Sequence, residues 1–202
     1  MKYYDLTLTI SEDSVTWPGD VPFTRNEQVS SAIVSTLHLS SHLGTHIDAP
    51  RHFIFDAGGI DKIQPSQLVG KFKVLQLKSK KLIDESELKK LKINKGDKVL
   101  FKTHNSKLIK ESKFTADYTS LSLEAANYLA KKGVHLVGTD YFGIEAKSAP
   151  GHPVHIELLK KKIVIVEGLN MSAIKPGTYS GAILPLKIKN ADGAPARAIL
   201  WR

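Results

Sequence analysis

The segment His42-Leu43-Gly44-Thr45-His46-Ile47-Asp48-Ala49-Pro50-Arg51-His52 puts three imidazoles and one carboxylate into a short stretch of a chain with eight histidines. Imidazole nitrogens and carboxylate oxygens are donors for zinc and manganese, and histidine also exchanges protons near pH 7. On a helix His42 and His46 share a face from which Asp48 points away. On an extended strand, residues 42, 44, 46, 48 and 52 line one side, with Gly44 leaving space between two imidazoles. A lone histidine on a strand is more often a hydrogen-bonded structural residue than a ligand. Three in register with an aspartate would load one face with polar groups that need partners. The spacing therefore predicts an extended segment that holds a metal.

Two histidines and a carboxylate make an open site, and further donors are expected downstream. Glu167 ends the apolar run Ile163-Val164-Ile165-Val166 and precedes Gly168. A carboxylate at the end of a buried strand requires a cation, either a metal or one of the 29 lysines and arginines. His155 opens a helix leading into that strand, so a helix–strand hairpin could return Glu167 close to it. Gly44 and Gly168 would let backbone approach the site, or serve ordinary turns. Phe53, Phe55 and Tyr141-Phe142 could line a pocket or fill core. Asp140 could orient a ligand or cap a loop. His38, His104, His135 and His152 show no partner in sequence; of these, His152 is the candidate to support a ligand from behind.

These side chains need a scaffold. Apolar alternation predicts strands near Tyr3–Ile10, Ser35–Asp48, Lys71–Leu77 and Asp97–Thr103. Asp84-Glu85-Ser86-Glu87 reads as a capping box opening a short helix to about Leu91. Ser122 starts a helix through Lys132 that Gly133 stops. Val134–Gly138 is a strand, His155–Lys161 a helix and Ile163–Glu167 a buried central strand. Ala182–Lys189 and Ala196–Trp201 form a closing pair across the turn Asn190-Ala191-Asp192-Gly193. Strands alternating with helices in the second half, after a strand-rich first half, predict a single α/β domain over residues 1–202. Its core is a mixed β-sheet with flanking helices.

Composition narrows the classes. Apolar residues at 42% and charged residues at 24% fit a globular domain. There is no cysteine, which removes disulfides, thiolate metal sites and cysteine nucleophiles. The N-terminal stretch alternates like a strand without a signal peptide's apolar core, and no apolar run reaches membrane-spanning length. A cytoplasmic protein without membrane contact is expected. The net charge of +9 comes largely from lysine clusters at 78–81, 89–98 and 160–162. Without interleaved aromatics or a DNA-binding motif, these read as solvated faces, and no nucleic-acid partner is expected.

The pattern His42-x-Gly44-Thr45-His46-x-Asp48-x-Pro50-x-His52-Phe53 resembles the signature of the cyclase-type metal-dependent hydrolases, whose best-known members are bacterial kynurenine formamidases. Trp17-Pro18-Gly19-Asp20, Gly138-Thr139-Asp140, His155 with Glu167-Gly168-Leu169, Pro176-Gly177-Thr178-Tyr179, Pro185-Leu186 and Gly193-Ala194-Pro195-Ala196-Arg197-Ala198 extend the likeness over nearly the whole chain. The resemblance implies a swivelling β/α cyclase-like fold and two divalent metals per chain; histidine and carboxylate donors suit zinc first and manganese second. It implies that His42, His46 and Asp48 bind one metal, while Asp48 bridges to a second completed by His155 and Glu167. A carboxylate can span two cations about 3.5–4 Å apart. His52 is then the acid–base residue, passing a proton to the departing nitrogen of an amide attacked by metal-activated water. Trp17 would wall an aromatic substrate pocket or pack against a neighbouring subunit, and Phe53 would line the same pocket.

The activity so implied is an arylformamidase of tryptophan catabolism acting on an aryl formamide such as N-formylkynurenine. The same resemblance permits hydrolysis of a cyclic amide, as in isatin hydrolases, or a polyketide-cyclase-like reaction. It also implies a homodimer or homotetramer. A different class of reading is a non-catalytic basic protein with a structural metal; such sites are closed by four protein ligands, whereas five ligands shared by two metals leave open positions.

Overall fold

The computed structural model describes residues 1–202. Twelve strands form: β1 (Tyr3–Asp5), β2 (Thr24–Val29), β3 (Ile33–His38), β4 (His46–Asp48), β5 (Val69–Gln76), β6 (Leu82–Ile83), β7 (Lys98–Lys102), β8 (Ser120–Leu121), β9 (Leu136–Thr139), β10 (Val164–Glu167), β11 (Gly177–Pro185) and β12 (Gly193–Trp201). Five helices accompany them: α1 (Pro65–Leu68), α2 (Glu85–Lys89), α3 (Asn105–Leu108), α4 (Leu123–Lys132) and α5 (Pro153–Lys160). The main sheet runs β1-β12-β11-β5-β7-β9-β10-β4, and β4 pairs again with β12. That last pairing closes seven strands into a barrel and leaves β1 attached outside the ring. β5, β7, β9 and β10 are mutually parallel, while β4, β11 and β12 join antiparallel. The expected α/β domain with a mixed sheet is present, and closure into a barrel is the added feature.

Alternation along the strands sorts the core into two layers. Ile47, Leu100, Leu136, Val164 and Val166 pack with Phe72, Tyr179 and Leu200 in the barrel interior. Val99, Phe101, Val137 and Ile165 point outward and are covered by Leu88 of α2, Leu129 of α4 and Leu158 of α5. The helix starts have local causes. Ser122 accepts from the Ala125 N–H, and Gly133 ends α4 at φ +68°. Asp84 caps α2 by accepting from the Glu87 N–H, but the Glu87 carboxylate turns away to Lys78 and Ser79, so the expected capping box is only half made.

Several expected boundaries move. The strand expected over Tyr3–Ile10 is paired only through Asp5. The closing pair starts earlier than the apolar pattern indicated: at Gly177, where Tyr179 packs inward within an otherwise polar stretch, and at Gly193, which pairs with Asp48 of β4. The strand expected over Ser35–Asp48 is broken. Its first part pairs in a separate hairpin with the polar β2, and a turn intervenes before β4. No helix is long and apolar enough to cross a membrane.

Candidate metal centre

β4 and β10 are antiparallel neighbours, with His46 opposite Glu167 and Asp48 opposite Ile165. Since Ile47 and Val166 face the barrel interior, alternation sends His46, Asp48 and Glu167 to the outer face. Helix α5 brings His155 to them: its Nε2 is 3.3 Å from Glu167 Oε1 and 3.9 Å from Asp48 Oδ2. His46 Nε2 lies 3.4 Å from Asp48 Oδ1 and 3.4 Å from Glu167 Oε2.

His42 arrives by another route than expected. It sits in the turn after β3 rather than on the strand of His46, and Gly44 at φ +65° reverses the chain so that His42 Nδ1 comes within 3.0 Å of Asp48 Oδ1. That left-handed conformation is the physical reason the single strand fails. A Cβ on Gly168, at φ +69°, would collide with the Gly44 carbonyl, so loop and strand end meet here through glycine. His52 is likewise off the strand, at the end of a 3-10 turn that Pro50 opens. Its ring lies 4.0 Å from that of His42, and its Nδ1 is 3.7 Å from Asp192 Oδ2.

Each of the three inward-facing imidazoles hands its other nitrogen to an acceptor. His46 Nδ1 meets the Gly44 carbonyl at 3.0 Å, His42 Nε2 meets Asp192 Oδ2 at 2.9 Å, and His155 Nδ1 meets Glu145 Oε2 at 2.8 Å. With protons held on those outer nitrogens, the inner ones can give up theirs and offer lone pairs to a cation set between them and the carboxylates. The cluster also contains one orphan: Asp48 Oδ2 is buried and has no hydrogen-bond partner. A buried carboxylate oxygen without a donor is costly, and a cation would satisfy it. The ligand atoms of His42, Asp48 and His52, and those of His46, Asp48 and Glu167, lie within 4.8 Å of one another, so the residues present fit a divalent metal. Glu167 has no lysine or arginine within ion-pair distance; it accepts from the Ile144 N–H at 2.6 Å and faces His46 and His155.

The protonation preferences follow from this crowding. Burial works against charge on His42, yet Asp192 and Asp48 raise it to about 9. Burial likewise opposes charge on His46 and His155, but Asp48 and Glu167 lift His46 to about 10, and Glu145 and Glu167 lift His155 to about 10. Burial pushes Asp48 and Glu167 upward, and in Glu167 the neighbouring Asp48 charge adds to that push. The imidazoles outweigh these effects, holding Asp48 well below the usual carboxylate range and Glu167 down to about 2. Two buried carboxylates thus draw positive charge onto three imidazoles in one small volume. His52 goes the other way: burial lowers it, and the nearby His42 and His155 add to the effect against the pull of Asp48. It stays neutral at pH 7, ready to accept a proton.

A cavity of about 290 Å³ opens on these atoms. Trp17, Phe53 and Phe142 form its apolar walls, with His52, His152 and Lys147 as polar rim. Trp17 stacks edge-on against Phe114 at 5.1 Å. A larger hollow of about 500 Å³ reaches Asp48 from the side of Ile54 and Lys162, but borders none of the histidines. Phe55 is 84% exposed and belongs to neither core nor pocket. Asp140 is buried away from the cavity, accepting from Thr103 and Ser106, and so holds a loop. His152 is at the rim, as its position beside α5 allowed. Sequence reasoning missed Asp192, which read as a turn residue, and Glu145, which lies in a loop without periodicity.

The comparisons agree with this architecture. The family model described as "Putative cyclase" matches residues 4–146. A kynurenine formamidase of Bacillus anthracis is 30% identical over 204 residues, covering 98% of this chain and 97% of its own. A solved structure of a predicted metal-dependent hydrolase from Bacillus stearothermophilus superposes with a TM-score of 0.89 at 34% identity, covering 98% and 97% of the two chains. Isatin hydrolase A from Ralstonia solanacearum shares the fold, with a TM-score of 0.82 at 22% identity over 98% and 91% of the two chains. The sequence match and the barrel coincide over 98% of the chain, and the chain belongs to the cyclase family.

Proposed function

We propose that the chain is a metal-dependent hydrolase that cleaves a C–N amide bond, with an aryl formamide such as N-formylkynurenine as its substrate. The observation that carries this reading is the orphaned Asp48 Oδ2, set among three oriented imidazoles and Glu167 beside an aromatic-walled cavity. His42, His46 and Asp48 would hold one divalent ion, and Asp48, His155 and Glu167 a second, with zinc first and manganese second by donor type. Such ions supply Lewis acidity and lower the pKa of water.

The chain's own groups do the rest. Trp17, Phe53 and Phe142 offer flat apolar surface to an aryl ring and exclude water from that side of the site. His52, neutral and facing the same cavity, takes up a proton as water adds to the carbonyl and returns it to the departing nitrogen, which cannot leave as an anion. The Bacillus anthracis relative is a kynurenine formamidase, which supports the formamide. The test is turnover of N-formylkynurenine, other formamides and isatin by zinc- and manganese-loaded protein. Formamide hydrolysis abolished by chelation is expected; hydrolysis of isatin alone would move the reading to a cyclic amide, and no turnover of any amide would overturn it.

A second copy of the chain is part of this proposal. The β2–β3 ribbon stands outside the barrel, and Val29, Ile33 and Leu37 on one of its faces are 74%, 65% and 55% exposed. Two strands alone are marginally stable, and burying this face against another protomer would stabilise the ribbon. Sedimentation should show a dimer or tetramer that a Val29→Lys, Leu37→Lys variant converts to monomer. A wild-type monomer would contradict it.

A further inference from the structure

Glu145 stands outside the proposed ligand set, yet its carboxylate is 2% exposed and engaged on both oxygens. Oε1 accepts the backbone N–H of Val154 at 2.7 Å, and Oε2 accepts from His155 Nδ1 at 2.8 Å. The first bond is a helix cap made from a distance. His152 offers α5 no side-chain cap and Pro153 has no N–H, so Val154 presents the first free donor of the helix. The second bond fixes a proton. A neutral imidazole has one N–H and one lone pair, and a carboxylate can only accept. Oε2 therefore keeps the hydrogen on Nδ1 and leaves the lone pair on Nε2, the nitrogen that faces Glu167 and Asp48. His152 adds a cover on the cavity side. Its ring stacks on Phe53 at 4.6 Å with Nδ1 3.7 Å from Glu145 Oε2, and its backbone is held at φ +51°, a conformation a non-glycine residue keeps only where its surroundings impose it.

We propose that Glu145 is a positioning residue that selects the Nδ1–H tautomer of His155 and so makes its Nε2 a metal ligand. The inference rests on the metal-centre reading above and adds to it the residue on which the second ion depends. Val154 N–H and His155 compete for the ends of this side chain in a way that makes glutamine a sharp probe. The backbone N–H can only donate, so in Glu145→Gln it claims the amide oxygen and turns the NH₂ toward His155. Nδ1 must then accept, the hydrogen moves to Nε2, and the ligand is lost although shape and helix cap survive. A carboxylate replaced by its amide beside a histidine acts through the wrong tautomer in the same way in serine proteases.

The experiment is zinc binding, by competition with a chromophoric chelator, to wild type, Glu145→Gln, Glu145→Ala and His155→Ala, with the thermal midpoint of each metal-free protein alongside. Tautomer selection predicts two zinc equivalents in wild type. In Glu145→Gln the second should weaken by about 10- to 100-fold, the range seen when a histidine ligand loses its outer acceptor. Glu145→Gln should melt near wild type, while Glu145→Ala, which loses the cap too, should melt lower. Wild-type affinity for both ions in Glu145→Gln would overturn the proposal and leave Glu145 a cap. Full zinc affinity in His155→Ala, or none in wild type, would instead overturn the metal-centre reading itself, and this proposal with it.

Discussion

The two halves of the centre are built from the same chemistry in different surroundings. On one side His42 rides on a turn, stacks on His52 and hands its outer nitrogen to Asp192, whose side chain is 45% exposed. On the other, His155 rides on α5 and hands its outer nitrogen to Glu145, 2% exposed in side chain and fixed by a backbone N–H. Water can replace Asp192 as an acceptor for the imidazole, whereas the partner of His155 Nδ1 is a buried carboxylate held in place by a backbone N–H. Hydrogen bonds of nearly the same length therefore differ in consequence when solvent can substitute for one of them. The inner half should be intolerant and slow to exchange, the outer half tolerant and adjustable, with Asp48 belonging to both.

Breaking the shared element should have the largest effect. Asp48→Asn removes the charge that both halves use, and metal uptake and amidase activity should both vanish in chelator competition and turnover assays. Retention of either half's metal would show that the halves do not share Asp48. His52→Ala should keep both metals and lower kcat by about 10²- to 10⁴-fold, the usual contribution of a positioned acid–base group. If metal is lost instead, His52 is a ligand of the outer half, a role its closeness to His42 and Asp48 also permits.

Asp192→Asn tests the exposed support directly. Zinc affinity should fall by about 10-fold, at the low end for loss of an outer acceptor, because water or the amide oxygen can still take the His42 Nε2–H. A loss as large as that of Glu145→Gln would erase the difference between the halves.

A smaller and more gradual effect is expected from pH in the metal-free protein. His42, His46 and His155 are raised from 6.5 to about 9, 10 and 10, so the stability from their charged forms is complete below about 6.5 and is lost as pH rises through those values. Glu167, lowered from 4.5 to about 2, contributes stability present above about 4.5 and lost as pH falls through 2. Thermal midpoints should therefore be highest between about pH 4.5 and 6.5 and descend toward pH 10. A flat profile above 6.5 would mean that the cluster does not hold these protons.

Much of the site was legible in the sequence, and the residues show why. His46 and Asp48 sit two apart on a real strand, so period-two reasoning put them on one face. Glu167 stood out as a carboxylate ending an apolar run, and the run is a buried strand. His42 was legible as a member of the motif but not as geometry, since Gly44 turns the chain where alternation predicted a straight strand. Asp192 and Glu145 were illegible. Asp192 reaches His42 across 150 residues from a turn whose composition already explained itself, and Glu145 lies in a loop where no periodicity singles out a side chain. Barrel closure shares this character: β4 and β12 meet only at Gly193–Pro195, a pairing far along the chain that local pattern does not encode.

In the proposed centre one buried aspartate, Asp48, is shared by two metal-holding halves. Anomalous diffraction at the zinc edge from zinc-equilibrated crystals would locate both ions relative to that carboxylate. Two peaks are predicted on either side of the Asp48 carboxylate, one against His42 and His46 and the other against His155 and Glu167. A single peak, or peaks that leave Asp48 Oδ2 without a cation, would contradict that sharing.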